Sequence, residues 1–218
     1  QIALHTAALN EDRITATGTM SVPFTGRGPM PALDLWKQVY KDNFFYQLYF
    51  QKEGVAEAEF ESDLQKSLFI TYTNSDGRGM QNNLEKGQSG LVPKKDKNST
   101  FLEGMEVFDD FPDWFKQEDL DYFVSQFEIS GLRGPFNRYR AQNIDWNELA
   151  ELDKKLKQPA CFITGTLDPV NFFIATDEPL IDRIEANYEN LLFAEELEGI
   201  GHWTQQEAPE EVNRLILK

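Results

Sequence analysis

Cysteine is nearly absent from this chain, because Cys161 is the only one among 218 residues. A single cysteine excludes an internal disulfide and a cysteine-rich metal site. No stretch approaches the roughly 18 consecutive apolar residues that a membrane-spanning helix requires, and the first residues show no signal peptide. We therefore expect a cytoplasmic protein without a membrane span.

Positive charge is scarce as well. Lysine and arginine number 21 against 37 aspartates and glutamates, which gives a formal net charge of −16 at pH 7. Nucleic-acid binding depends on clustered basic side chains, so this balance argues against nucleic acid and against anionic membrane surfaces as partners. The length permits one large domain or a core with an inserted lobe.

Histidine occurs only twice, and His202 stands in the most informative segment, LEGIGHWTQQ at residues 197–206. The apolar run at residues 191–194 precedes it and predicts a strand, which the glycines of the segment end. Pro209 then suits the first turn of a helix. His202 is therefore predicted on a loop at a strand end, where a rigid scaffold can direct an imidazole into a cleft.

Asp168 is the carboxylate that we expect to orient this histidine. The apolar run at residues 159–164 predicts a buried strand, and the sequence GTLDP at residues 165–169 ends it. Adjacent parallel strands bring Asp168 and His202 together, because such sheets place functional residues at the carboxyl ends of their strands. Taken alone, an aspartate before proline is more often only a turn signal.

Most of the chain ahead of these strands has a helical pattern. Residues 1–10 predict a helix and residues 13–22 a strand, whereas strand patterns are nearly absent from about 30 to 140. Residues 73–104 are polar and glycine-rich, which predicts a long surface loop. The sequence thus predicts an α/β core with an inserted helical lobe. Apolar residues at helical spacing in that lobe are Leu33, Trp36, Val39 and Tyr40; Ala56, Phe60, Leu64 and Leu68; and Leu120, Phe123, Val124 and Phe127.

Two aromatic clusters of the lobe contain tyrosines, FFYQLYFQ at residues 44–51 and RGPFNRYR at residues 133–140. Most such tyrosines are core residues whose hydroxyls find local partners. The alternative is that Tyr46 and Tyr139 direct two hydroxyl groups at a substrate oxygen. Paired donors are what a reaction that develops alkoxide charge requires.

Three segments resemble epoxide hydrolases of the α/β-hydrolase fold, of the soluble epoxide hydrolase type. They are YQLYFQKEGVAEAE at residues 46–59, GLRGPFNRYR at residues 131–140 and GHWTQ at residues 201–205. Their order and approximate spacing also match. The resemblance covers nearly the whole chain except the predicted loop at residues 73–104.

The resemblance implies a fold and a domain division. The fold is α/β, with the C-terminal part of an α/β-hydrolase core sheet and an inserted helical cap. The core comprises residues 1–27 and 141–218, and the cap comprises residues 28–140. No metal and no organic cofactor are implied.

The resemblance also implies a mechanism. An aspartate opens the epoxide and forms an ester, while Tyr46 and Tyr139 hydrogen-bond the epoxide oxygen and protonate the alkoxide. His202, oriented by Asp168, then activates a water that hydrolyses the ester. The product is a vicinal diol. The implied partners are a small lipophilic epoxide and water, and a homodimer is left open.

The nucleophile is where the chain departs from the family pattern. The helix at residues 1–10 resembles the one that follows the nucleophile, so the attacking aspartate is expected about four residues before Gln1. The family's His-Gly-x-Pro oxyanion loop and the first strands are also not found, and both ends look cut. We therefore expect residues 1–218 alone to fold poorly, with an unpaired sheet edge, and not to open epoxides.

Two other functions fit parts of the pattern. Haloalkane and fluoroacetate dehalogenases share the fold, the aspartate nucleophile and the histidine, but hold the halide with Trp, His or Asn donors. Tyr46 and Tyr139 therefore favour the epoxide. A non-catalytic binding protein on the same scaffold is the second alternative, and the retention of Asp168 and His202 beside both tyrosines speaks against it.

Overall fold

The structure is a computed structural model that describes residues 1–88, 94–152, 155–173 and 176–218. In this part of the chain the strands form one parallel sheet in the order β1 (Thr17–Met20), β2 (Ala160–Gly165) and β3 (Leu191–Leu197). Thr17 lies opposite Ala160, and Ala160 lies opposite Leu191. The central strand β2 is almost entirely buried, as expected for a parallel strand that is covered on both faces.

The helices surround this sheet and fill the long connection between β1 and β2. In chain order they are α1 (Ile2–Leu9), α2 (Ala32–Val39), α3 (Tyr46–Tyr49), α4 (Val55–Glu61), α5 (Leu64–Ser75), α6 (Gly77–Glu85), α7 (Gln117–Ser130), α8 (Arg133–Arg140), α9 (Gln142–Glu148), α10 (Leu180–Glu185), α11 (Thr204–Glu207) and α12 (Pro209–Ile216). None of the described helices is long and apolar enough to cross a membrane.

Helices cover both faces of the sheet. On one face, Leu4 and Ala7 of α1 pack in a buried cluster with Phe162 of β2. On the other, Val212 and Leu215 of α12 pack against Ile163. Helix α12 begins with Pro209 and has two glutamates in its first turn, which suit the positive end of the helix dipole. The predicted α/β core is therefore present, although β1 is shorter than the strand predicted over residues 13–22.

The residues between Met20 and Ala160 are called the helical insertion below. Its core is aromatic, and Phe50 packs against the rings of Phe60, Phe101 and Phe136. The helix predicted from Ala56 to Leu68 is in fact two helices, α4 and α5. The break arises because the Asp63 side chain accepts the Lys66 N–H and so caps a new helix.

The prediction of a long surface loop over residues 73–104 is wrong in its first third. Helix α5 runs to Ser75 and α6 follows at once, with Thr73, Asn74 and Asp76 at most 1% exposed. Their polar groups have partners inside the protein: Asn74 Nδ2 donates to the Ile70 carbonyl at 2.8 Å, and Asp76 caps α6. These three polar side chains can be buried because each has a hydrogen-bond partner. Residues 89–93 of the predicted loop lie outside the described residues.

Candidate active site

The two loops at the carboxyl end of the sheet bring Asp168 and His202 together. Asp168 follows the end of β2 by three residues and precedes a 3-10 turn at Pro169–Phe172. His202 follows β3, after the glycine-containing turn that ends that strand. The imidazole Nδ1 lies 3.0 Å from Oδ1 and 3.1 Å from Oδ2 of Asp168. The sequence-predicted pair is thus in direct hydrogen-bond contact.

The Asp168 carboxylate is completely buried and has a partner on each side. The Val170 N–H donates to Oδ1 at 2.9 Å, and the Thr164 hydroxyl donates to Oδ2 at 3.3 Å. A buried carboxylate that accepts from Nδ1 fixes the proton of the imidazole on that nitrogen. The Nε2 lone pair of His202, whose side chain is 28% exposed, is then left to act as a base.

The loop that bears His202 is called the histidine loop below. Its backbone is held by residues that the sequence alone does not single out. Ser21, directly after β1, has a φ of 63° and donates its hydroxyl proton to the His202 carbonyl at 2.8 Å. Left-handed backbone is uncommon for a residue other than glycine and often marks a functional site. On the other side, the His202 N–H donates to the Ser75 carbonyl at 2.9 Å. The histidine loop is therefore held from two sides, by Ser21 next to β1 and by Ser75 at the end of α5.

Tyr46 and Tyr139 meet inside the helical insertion. Tyr46 is the first residue of α3 and Tyr139 lies in the last turn of α8. Their ring centroids are 5.6 Å apart with the planes at 82°, an edge-to-face arrangement. Gln47 Nε2 donates to the Tyr46 hydroxyl oxygen at 2.9 Å, and Gln142 Nε2 in turn donates to Gln47 Oε1 at 2.9 Å. Because the Tyr46 oxygen accepts this bond, its own proton stays available for donation.

The ionisation of both tyrosines is suppressed. Burial raises the pKa of Tyr46 well above its usual value, and the neighbouring Tyr139 and the charge of Asp168 act in the same direction. Burial also raises the pKa of Tyr139. Both side chains are therefore held as neutral hydrogen-bond donors.

Aromatic rings line the space around the tyrosines. Phe173, in the loop that follows Asp168, lies 5.9 Å from the Tyr46 ring and 5.4 Å from Phe45. Its carbonyl accepts the Tyr40 hydroxyl at 2.8 Å, which fastens the Asp168 loop to the helical insertion. Trp36 packs on Phe45 at 5.0 Å. Apolar surroundings of this kind strengthen each hydrogen bond made inside them.

Among the residues that the structure describes, no group of three or more histidine, cysteine, aspartate and glutamate side chains is arranged to hold a metal ion. The arrangement around Asp168 and Tyr46 supports acid–base chemistry. It combines one buried His–Asp pair with two neutral phenolic donors.

The loops after β2 and β3 touch through their backbones, which gives a stability prediction. A Cβ atom on Gly165 would lie 1.8 Å from the Ile200 carbonyl oxygen, whereas one on Gly134 would meet nothing within 4 Å. We expect Gly165→Ala to lower the free energy of unfolding by about 1–3 kcal/mol or more, since backbone must move. Gly134→Ala is the matched control, with little loss or a slight gain. Denaturant unfolding of both variants checks this, and equal stability would contradict the packing.

Known proteins resemble the chain over almost its full length. Epoxide hydrolase A of Mycobacterium tuberculosis is 33% identical over 211 residues, which cover 96% of this chain and 62% of that protein. Among solved structures, an epoxide hydrolase from an endophytic Streptomyces superposes with a TM-score of 0.85 at 34% identity, over 99% of this chain and 63% of its own. Epoxide Hydrolase A from Mycobacterium thermoresistibile gives a TM-score of 0.85 at 28% identity, covering 99% and 64%.

The extent of these matches is uneven. The chain spans less than two thirds of the length of each of these three relatives. No protein-family model matches the chain. The structural likeness nevertheless establishes the α/β-hydrolase fold that the sequence analysis predicted.

Proposed function

This chain belongs to the α/β-hydrolase-fold family of the epoxide hydrolases, and from that premise we propose that the protein carrying it hydrolyses an epoxide to a vicinal diol. The observation that carries the proposal is that two neutral tyrosines pack beside the loop of a buried His–Asp pair, since Phe173 of the Asp168 loop lies 5.9 Å from the Tyr46 ring. Within the helical insertion, we propose that residues 28–140 form the cap of this enzyme and that residues 1–27 and 141–218 belong to its core.

The first step opens the epoxide ring. A carboxylate oxygen attacks one ring carbon, the bond between that carbon and the epoxide oxygen breaks, and an ester forms. Tyr46 and Tyr139 donate hydrogen bonds to the oxygen as its charge develops, and one of them transfers its proton. The attacking aspartate is expected ahead of Gln1, as the resemblance implies. A strained ether needs little more than an aligned nucleophile and these donors.

The second step hydrolyses the ester. His202 takes a proton from a water whose oxygen attacks the ester carbonyl, and Asp168 stabilises the resulting imidazolium. The ester bond breaks, the leaving oxygen takes the proton from His202, and the diol is released. The remaining proton of the water restores the tyrosine. The carboxylate is regenerated, so epoxide and water are fully accounted for in the diol.

The substrate class is a lipophilic epoxide. The rings of Trp36, Phe45 and Phe173 around Tyr46 support this choice, because aromatic walls contact apolar substituents and leave the tyrosine hydroxyls as the polar groups that fix orientation. We further propose a cytoplasmic location, in agreement with a single cysteine that lies in β2. A homodimer is the assembly to be tested, by the mass of the purified protein in light scattering.

A direct test compares epoxides with halides. The protein, expressed from its complete gene, is incubated with styrene oxide, with a 1-haloalkane and with fluoroacetate. We expect the vicinal diol from styrene oxide and no release of halide or fluoride. Halide release without diol would assign a dehalogenase, and binding of the epoxide without turnover would assign a non-catalytic binding protein.

The raised tyrosine pKa values predict the pH dependence of ring opening. A free tyrosine loses its proton near pH 10, but Tyr46 and Tyr139 keep theirs to higher pH because burial raises both pKa values. We expect the single-turnover rate of ester formation to stay level as the pH rises through 10. Quenched-flow mass spectrometry measures that rate. A loss of half the rate near pH 9 would contradict donation by these two hydroxyls.

A further inference from the structure

A carboxylate beside the histidine loop binds three backbone N–H groups at once. Glu207, at the end of α11, accepts from Gly77 at 2.8 Å and from Gly201 at 2.9 Å on Oε2, and from Trp203 at 3.0 Å on Oε1. Gly201 and Trp203 are the two residues on either side of His202, and Gly77 begins α6. One side chain thus joins the histidine loop to the helical insertion.

Further contacts hold the histidine loop against the helical insertion. The Trp203 indole N–H donates to the Tyr72 carbonyl of α5 at 2.9 Å, and the two rings lie 4.6 Å apart. The backbones also approach closely, since a Cβ on Gly201 would lie 2.3 Å from the Asp76 carbonyl carbon. Helix α5 also contacts the core around the tyrosines. Its Ile70 belongs to the buried cluster that contains Tyr46 and against which Tyr139 packs.

We propose that Glu207 is a positioning residue for His202, which holds the imidazole at a fixed place relative to the tyrosines of the helical insertion. The proposal rests on the function proposed above and deepens it. The tyrosines fix the oxygen of the bound substrate, whereas His202 must bring a water to the ester formed beside that oxygen. Two groups on different parts of the fold keep a productive distance only if the parts are joined, and misplacement by about 1 Å can cost about a hundredfold in rate.

Glu207→Gln removes the negative charge and one hydrogen-bond acceptor but keeps the size of the side chain. The amide has the same shape, but it replaces one acceptor oxygen by an NH₂ group that cannot accept a hydrogen bond. At least one of the three N–H groups is then left without its partner, so the loop shifts. Glu207→Asp keeps the charge and shortens the reach by one methylene. Glu210→Gln, on the exposed first turn of α12, is the matched control.

The decisive readout separates the two chemical steps, because His202 acts only in the second. In single-turnover experiments with the complete protein and styrene oxide, we expect Glu207→Gln to form the ester within about twofold of the wild-type rate. Ester hydrolysis should slow by about 10- to 100-fold, since a displacement of about 1 Å can cost about a hundredfold in rate, so that the ester accumulates. The rate of ester hydrolysis in Glu207→Asp should lie between those of the wild type and Glu207→Gln, and Glu210→Gln should match the wild type.

Other outcomes overturn the proposal. Equal slowing of both steps would show a general structural role, and unchanged hydrolysis would show that Glu207 does not position His202. If Glu207→Gln does not fold, the rates of ester formation and ester hydrolysis are measured in Glu207→Asp instead. Slower hydrolysis with unchanged ester formation supports the proposal, and any other result contradicts it. If the wild type forms no diol, the proposed function fails separately. The Nδ1–H proton resonance of His202, assigned by comparison with His202→Gln, then tests positioning alone: it shifts in Glu207→Gln if the proposal holds and stays if it does not.

Discussion

Replacing His202 with glutamine is expected to convert the protein into one that opens a single equivalent of epoxide and then stops. In the proposed mechanism, ring opening depends on the nucleophile and the tyrosines, whereas ester hydrolysis depends on the imidazole, whose Nδ1 lies 3.0 Å from Asp168. Loss of a general base costs typically 10²–10⁴-fold, so we expect turnover to fall by about 10³-fold or more. Mass spectrometry of the intact protein should show a stoichiometric adduct with the mass of the epoxide.

The chain contains its own control for this experiment. His5 lies on α1 and is the only other histidine, so His5→Gln should retain wild-type turnover and accumulate no adduct. Loss of adduct formation in His202→Gln would mean that the histidine acts in ring opening. Unchanged turnover would remove His202 from the mechanism altogether.

Removing both hydroxyl groups in Tyr46→Phe/Tyr139→Phe is expected to abolish ring opening with the fold intact. The rings keep their edge-to-face contact at 5.6 Å, but no donor remains for the developing alkoxide. One donor of this kind contributes about 10²–10³-fold in rate. Each single variant should therefore lose about 10²-fold, because the other tyrosine remains, and the double variant should lose about 10⁴-fold or more.

The signature of the tyrosine variants is opposite to that of the histidine variant. No ester should accumulate, because the step that forms it is the one that slows. Tyr122→Phe is the matched control, since Tyr122 is 62% exposed on α7, and it should leave both steps unchanged. An adduct in the double variant, or turnover near that of the wild type, would show that the hydroxyls do not act on the epoxide oxygen.

The elements that define the site could be predicted because local patterns determine them. Continuous apolar runs predict β2 and β3, and the abrupt polar turns that follow them place Asp168 and His202 at the same edge of a parallel sheet. Tyr46 and Tyr139 were selected through the segments around them. In the structure the two rings are in contact, although 93 positions separate them in the sequence.

The supporting groups could not be predicted, because their partners are distant in the chain. Glu207 binds the N–H of Gly77, 130 residues away, and Ser21 binds the carbonyl of His202, 181 residues away. A glutamate at the end of a short polar helix is expected to be solvated unless the fold brings donors to it. The loop prediction for residues 73–104 fails over residues 73–85 for the same reason. Polar side chains such as Asn74 are buried there with partners that only the tertiary structure supplies.

The source of the oxygen in the diol tests the central claim, which is that the site divides hydrolysis into ester formation and ester cleavage. The complete protein, in excess over styrene oxide, performs a single turnover in ¹⁸O-labelled water. We predict that the diol contains no ¹⁸O, because its new oxygen comes from the carboxylate, and that the protein gains the label instead. Label in the diol after the first turnover, or no diol at all, would contradict the account.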